Sequence, residues 1–145
     1  MNKERVPVAN FYSHYSCRDV KPTVYLSGPM AGRNWEDVEE DFSRYEDLFT
    51  MIGFKVLNPC KFDHTNTNDR ELTLEEDFEQ LRRADYIFMM PGWREAKGCN
   101  AEWGFARALH IIVLPNDEEL ESVIGTFMIT TEDQMETVHN HFKNH

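Results

Sequence analysis

The chain has 145 residues, a formal charge of −11 and a pI near 4.9. That length suits one domain with a core of its own, and 41% hydrophobic with 28% charged residues excludes a disordered chain. No apolar run approaches the ~20 residues of a membrane helix, and MNKERVPVAN lacks the apolar stretch of a secretion signal. Fifteen basic residues against 26 acidic ones argue against a nucleic-acid polymer as partner. A cytoplasmic protein with no membrane association is therefore expected. Cys17, Cys60 and Cys99 form no CxxC pair and are expected as free thiols. His139 and His141, two apart, point to different sides of a helix, so no metal site is expected.

Residues 1–20 have no period and form an N-terminal arm; residues 21–145 form a single domain. Thr23-Val24-Tyr25-Leu26-Ser27 reads as a strand running into the turn-rich loop Gly28-Pro29-Met30-Ala31-Gly32-Arg33. Asn34 can cap a helix to about Met51, with Trp35, Val38, Phe42, Tyr45 and Phe49 stepping by three and four. Gly53 stops it, and Phe54 to Leu57 is a short strand ended by Asn58-Pro59. After an irregular stretch, Thr73 with Glu76 reads as a capping box opening a helix to about Ala84. Asp85 to Met90 is a near-continuous apolar strand, as in a sheet covered on both faces. A loop from Pro91 to Gly98, a helix from about Asn100 to His110 and a buried strand from Ile111 to Leu114 follow. The tail carries a strand near Phe127-Met128-Ile129 and a second capping box, Thr131 with Gln134, opening a helix to about Phe142. Strand and helix alternate, which predicts an α/β fold with a parallel sheet of 4–5 strands flanked by helices. Ligands of such sheets bind at the carboxyl ends of the strands. Here the ends at 27–33 and 91–98 are the ones built for a ligand.

Helical phase singles out two acids. At roughly 100° per residue, Leu74, Phe78, Leu81 and Ala84 share one arc, and Asp77 falls inside it. Ala101, Phe105, Leu109 and Ala106 define an arc that contains Glu102. Carboxylates on apolar faces are costly unless paired or put to use. Placed in a first helical turn, Glu102 would be kept ionised by backbone N–H groups. Arg33, Arg94 and Lys97 are loop cations available to an anionic ligand, or plain surface charges. Trp103 and Arg107, four apart on the outward arc, suit a stacked pair at a subunit contact or under the N-terminal arm.

Tyr25 to Gly32, Asp77, Pro91-Gly92-Trp93 and Gly98-Cys99-Asn100-Ala101-Glu102-Trp103-Gly104 together resemble the nucleoside 2-deoxyribosyltransferase superfamily, in a small branch frequent in phages and bacteria and related to the 2′-deoxynucleoside 5′-monophosphate N-glycosidases. The resemblance implies a flavodoxin-like (Rossmann-like) fold, no cofactor, a homo-oligomer, and cleavage of an N-glycosidic bond. It places Glu102 as the nucleophile at C1′, Asp77 as the acid beside sugar and leaving group, and Tyr25 as the group orienting the nucleophile. Ser27, Gly28, Pro29, Met30, Gly32, Arg33, Gly92, Trp93, Lys97 and Gly98 then fall at the substrate, a nucleoside or nucleotide. The chemistry is coherent: bond cleavage builds positive charge on the sugar, which a carboxylate stabilises or captures. A second carboxyl, its pKa raised by burial, can protonate the departing base. Two positions depart from the pattern: Pro29 and Ala96 stand where the hydrolases carry phosphate-gripping serines, and near Ala96 the transferases carry a base-binding Asp. A non-catalytic nucleotide-binding or sensing module is the alternative, and an interaction protein using its acidic surface and N-terminal arm a third reading.

Overall fold

The computed structural model describes residues 21–62 and 70–114, together with Glu136, His139 and Asn140. Four strands pair in parallel, β1 (Thr23–Ser27), β2 (Lys55–Leu57), β3 (Tyr86–Met89) and β4 (Ile112–Leu114), in the order β2-β1-β3-β4. Helices α1 (Trp35–Met51), α2 (Arg70–Leu81) and α3 (Lys97–Ala108) fill the crossovers. This is the expected flavodoxin-like α/β arrangement, with four strands among the described residues. The expectations for the N-terminal arm, for Cys17, for residues 63–69 and for the tail strand and the Thr131 cap lie outside those residues; Glu136, His139 and Asn140 are helical.

Strand alternation decides which helix meets which side chain. Val24 and Leu26 of β1, with Tyr86 and Phe88 of β3, face α1, whose Val38, Phe42, Tyr45, Leu48 and Phe49 are all buried against them. Phe88 sits between the rings of Tyr45 (4.8 Å) and Phe49 (5.1 Å). Tyr25 of β1 with Ile87 and Met89 of β3 faces the opposite side, where Leu81, Cys99 and Ala106 pack from α2 and α3. Rings of Phe78 and Phe105 lie parallel at 4.5 Å and join α2 to α3.

Helix α1 starts as its cap residue demands, Asn34 Oδ1 accepting the Glu36 N–H at 2.8 Å. Two other starts differ from expectation. Helix α2 begins at Arg70, so Thr73 lies inside the helix rather than at its start. Helix α3 begins at Lys97, three residues early, after an extended Ala96 that offers no side-chain cap. What holds that start is Asn100, whose Nδ2 donates to the carbonyls of Arg94 (3.0 Å) and Ala96 (2.8 Å) and so fastens the preceding loop to the helix. The face of α3 is also rotated from the arc expected: Cys99, Glu102 and Ala106 are buried, whereas Ala101 and Leu109 are exposed. Strand β4 is half open rather than buried, with Ile112 38% exposed, because no described strand pairs beyond it.

Candidate active site

The strand order reverses between β1 and β3, so the chain leaves β1 for one face of the sheet and β3 for the other. The loops after them diverge and leave a crevice at the carboxyl edge. A cavity of about 730 Å³ opens there, within the usual size of small-molecule sites. Gly28, Pro29, Met30 and Ala31 form one wall; Gly92, Glu95, Ala96, Lys97 and Gly98 form another. Asp77 from α2 and Glu102 from α3 both line it, with Leu74, Cys99, Leu26, Pro59 and Trp35. The two acids singled out by helical phase thus meet at one hollow.

Close packing shapes the first wall. A Cβ on Gly28 would stand 2.6 Å from Met90 Sδ and 3.1 Å from Phe42 Cζ, so only glycine lets the backbone turn there unhindered. Gly92 takes φ +86°, the left-handed turn that redirects the chain after β3.

Glu102 is almost wholly buried, and both its carboxyl oxygens are held. The Tyr25 hydroxyl donates to Oε2 in a short bond, and Ser27 Oγ donates to Oε1 at 2.8 Å. Both donors sit on β1, two residues apart and therefore on the same face. Burial pushes the Glu102 carboxyl up to about 7; the Tyr25 bond opposes this, the Asp77 charge adds to it, and the Ser27 bond opposes it again. Glu102 stands in the second turn of α3 rather than the first, so the helix dipole acts on it weakly. The expectation that the helix start keeps it ionised is corrected: desolvation outweighs its hydrogen bonds. Tyr25 is driven well above the ordinary phenol range by burial and by the Glu102 and Asp77 charges, which keeps it a donor. The Cys99 thiol, in the same wall, is pushed by burial up to about 11 and stays protonated at neutral pH.

Of the expected substrate-binding residues, Gly28, Pro29, Met30, Gly92, Lys97 and Gly98 line the cavity. Ser27 lies beneath it, holding Glu102. Gly32, Arg33 and Trp93 do not line it. Arg33 is committed elsewhere, donating from Nη1 to the Pro29 carbonyl at 2.9 Å and from Nη2 to Asp41, which also accepts from Arg44 at 2.9 Å. Burial alone would raise the Asp41 carboxyl, but the bonds from Arg33 and Arg44 outweigh it and hold it below its ordinary value. Arg33 therefore braces the Gly28–Ala31 wall from behind. Trp93 is stacked on Trp103 at 5.9 Å, with Arg94 over Trp93 and Arg107 over Trp103, each at 4.9 Å. The Trp103–Arg107 pair exists as spacing suggested, although Trp103 is half-buried against the second core cluster rather than turned fully outward. No cluster of metal ligands occurs among the described residues.

Sequence reasoning passed over Trp35 and Glu95 as site residues. Trp35 falls on the same three-and-four stripe as the core residues of α1, yet it is 50% exposed. The available signal was its place in the first turn, where a helix projects past the carboxyl end of the preceding strand.

Fold and cleft together define an α/β domain with a carboxylate-bearing pocket at its switch point. The chain belongs to the family described as a domain of unknown function, DUF4406, whose model matches residues 22–115 and so spans both acids. Among solved structures it is similar to a conserved protein from Enterococcus faecalis V583, with a TM-score of 0.54 and 14% identity over 83% of this chain and 88% of that one. No curated protein matches it. No helix among the described residues is long and apolar enough to cross a membrane.

Proposed function

We propose that this protein cleaves the N-glycosidic bond of a 2′-deoxynucleoside or its 5′-monophosphate, by hydrolysis or transfer, with Glu102 as nucleophile. The observation that carries the reading is the convergence of Asp77 and Glu102, from separate helices, on one cavity of about 730 Å³, with Glu102 gripped from below by Tyr25 and Ser27. The resemblance of these same positions to the nucleoside 2-deoxyribosyltransferase superfamily points the same way.

In this mechanism the ionised Glu102 attacks C1′. The C1′–N bond breaks, its electron pair leaves with the base, and the Asp77 carboxyl supplies the proton. Water then attacks C1′, its proton passes to the Asp77 carboxylate, and Glu102 is released; a second base in place of water gives transfer. Tyr25 and Ser27 fix the carboxylate and temper its basicity, so the ester can form and break again. A homo-oligomer working in the cytoplasm belongs to the same reading.

Incubation with each 2′-deoxynucleoside and each monophosphate, followed by chromatography, should show free base. Glu102→Ala should lose at least about a thousandfold in rate, as loss of a covalent nucleophile does. Base release unchanged in that variant refutes the assignment. Pro29 and Ala96 line the cavity where catalytic relatives carry polar ligands, which favours a second reading, a nucleotide-binding module without turnover. Nucleotide-dependent thermal stabilisation with no base release would select it.

A further inference from the structure

The protein has three tryptophans. Two of them are spent on each other: Trp93 and Trp103 stack, and their partner arginines, Arg94 and Arg107, cover them in turn. The third, Trp35, makes no ring stack and no cation contact among the described residues, is half exposed, and lines the cavity that holds Asp77 and Glu102. A large apolar ring left open inside a cleft, rather than on a convex surface, is a binding feature.

Its position is held. The Asn34 cap fixes the first turn of α1, and the Arg33 N–H bonds to the Met30 carbonyl at 3.2 Å while its guanidinium ties Pro29 and Asp41. The ring is thus carried by a braced corner, which limits the ordering needed on binding.

We propose that Trp35 is the platform on which the planar base of the ligand stacks. This rests on the glycosidic reading for the ligand's identity, and on the open ring for the contact. Stacking reads the face of a base rather than its edge, and every base has such a face. All four bases should therefore be accepted, purines more tightly than pyrimidines because more ring area overlaps.

The experiment is a titration of intrinsic tryptophan fluorescence with 2′-deoxyadenosine and 2′-deoxycytidine, in the wild type and in Glu102→Gln, where turnover does not consume the ligand. Quenching is expected in both, at lower concentration for the purine. In Trp35→Leu the quench should vanish and KM rise about five- to a hundredfold with kcat nearly kept, the size of one base–aromatic stack. Trp35→Phe should recover most of the affinity, because an aromatic face is needed and not merely apolar bulk. A leucine variant that binds as the wild type does, or a phenylalanine variant no better than leucine, overturns the platform. So does a wild type that no nucleoside quenches. Because Trp35 is half exposed and outside both core clusters, the variants should melt within a few degrees of wild type. The two readings fail separately. Base release with an unchanged KM in Trp35→Leu sinks the platform and leaves the reaction. Affinity measured by titration calorimetry that is lost in Trp35→Leu and regained in Trp35→Phe, with no base ever released, supports the platform and sinks the reaction.

Discussion

Glu102 carries opposing demands. Its burial raises the carboxyl to about 7, whereas a nucleophile must be ionised. Under the proposed mechanism kcat/KM should climb as pH rises toward about 7, the acid limb reporting Glu102, and fall again at higher pH once the Asp77 carboxyl no longer holds the proton it donates. Tyr25→Phe removes the hydroxyl that opposes this rise, so the limb should move to higher pH and the rate at pH 7 fall about ten- to a hundredfold. A pH–rate profile of the two proteins checks both statements; a limb that stays in place shows that Tyr25 does not hold the charge. Tyr86 offers a contrast. Among the described residues its buried hydroxyl has no hydrogen-bond partner, and burial drives it well above the ordinary phenol range. Tyr86→Phe removes that cost while keeping the ring against Phe54, at 5.6 Å, and should leave stability unchanged or raise it by up to about 1 kcal/mol in a denaturant melt.

Helices α1 and α3 end in the same way, with different residues at the critical position. After α1, Phe54 N–H bonds to the Phe49 carbonyl and Gly53 N–H to that of Thr50, with Gly53 at φ 102°. After α3, Ile111 N–H bonds to Ala106 and His110 N–H to Arg107, but the left-handed residue is His110, at φ 60°. A side chain there costs about 1 kcal/mol that glycine does not. His110→Gly should therefore raise the melting temperature by about 3 °C, measured calorimetrically. The contact between α2 and α3 matters differently. The stacked Phe78 and Phe105 rings hold together the two helices that bring Asp77 and Glu102 to the cavity. Phe105→Ala should cost about 2–3 kcal/mol of stability, and should lower activity even well below its melting point, since the two acids lose their common spacer.

For the whole molecule the Glu102 shift sets a slope of stability with pH. Its carboxyl titrates near 7 when folded and near 4.5 when free, so between those values the folded chain binds more protons than the unfolded one. That contribution is complete below about 4.5 and is lost as pH rises through about 7. Relative to Glu102→Gln, the wild type should lose stability over that window; parallel melting curves for the two proteins would contradict the burial of this group. The net charge of −11 steepens the loss by self-repulsion, and salt should reduce that part without touching the buried one.

Much of this was legible in one dimension. Alternating apolar strands and 3–4 spaced helices placed β1 to β4 and α1 to α3 in order, and helical phase put Asp77 and Glu102 on inward faces, because side-chain direction follows from local geometry. Element starts were not legible in the same way: Thr73 matched a cap pattern inside α2, and α3 began without a capping side chain, held instead by Asn100. Nor could spacing tell that Arg33 would be taken by Asp41 and Pro29, that Trp93 would be covered while Trp35 stayed open, or that burial would outweigh two hydrogen bonds on Glu102. Periodicity is written along the chain. Desolvation, pairing and the shape of a cavity depend on which elements meet, and only the packed sheet and its helices bring those together.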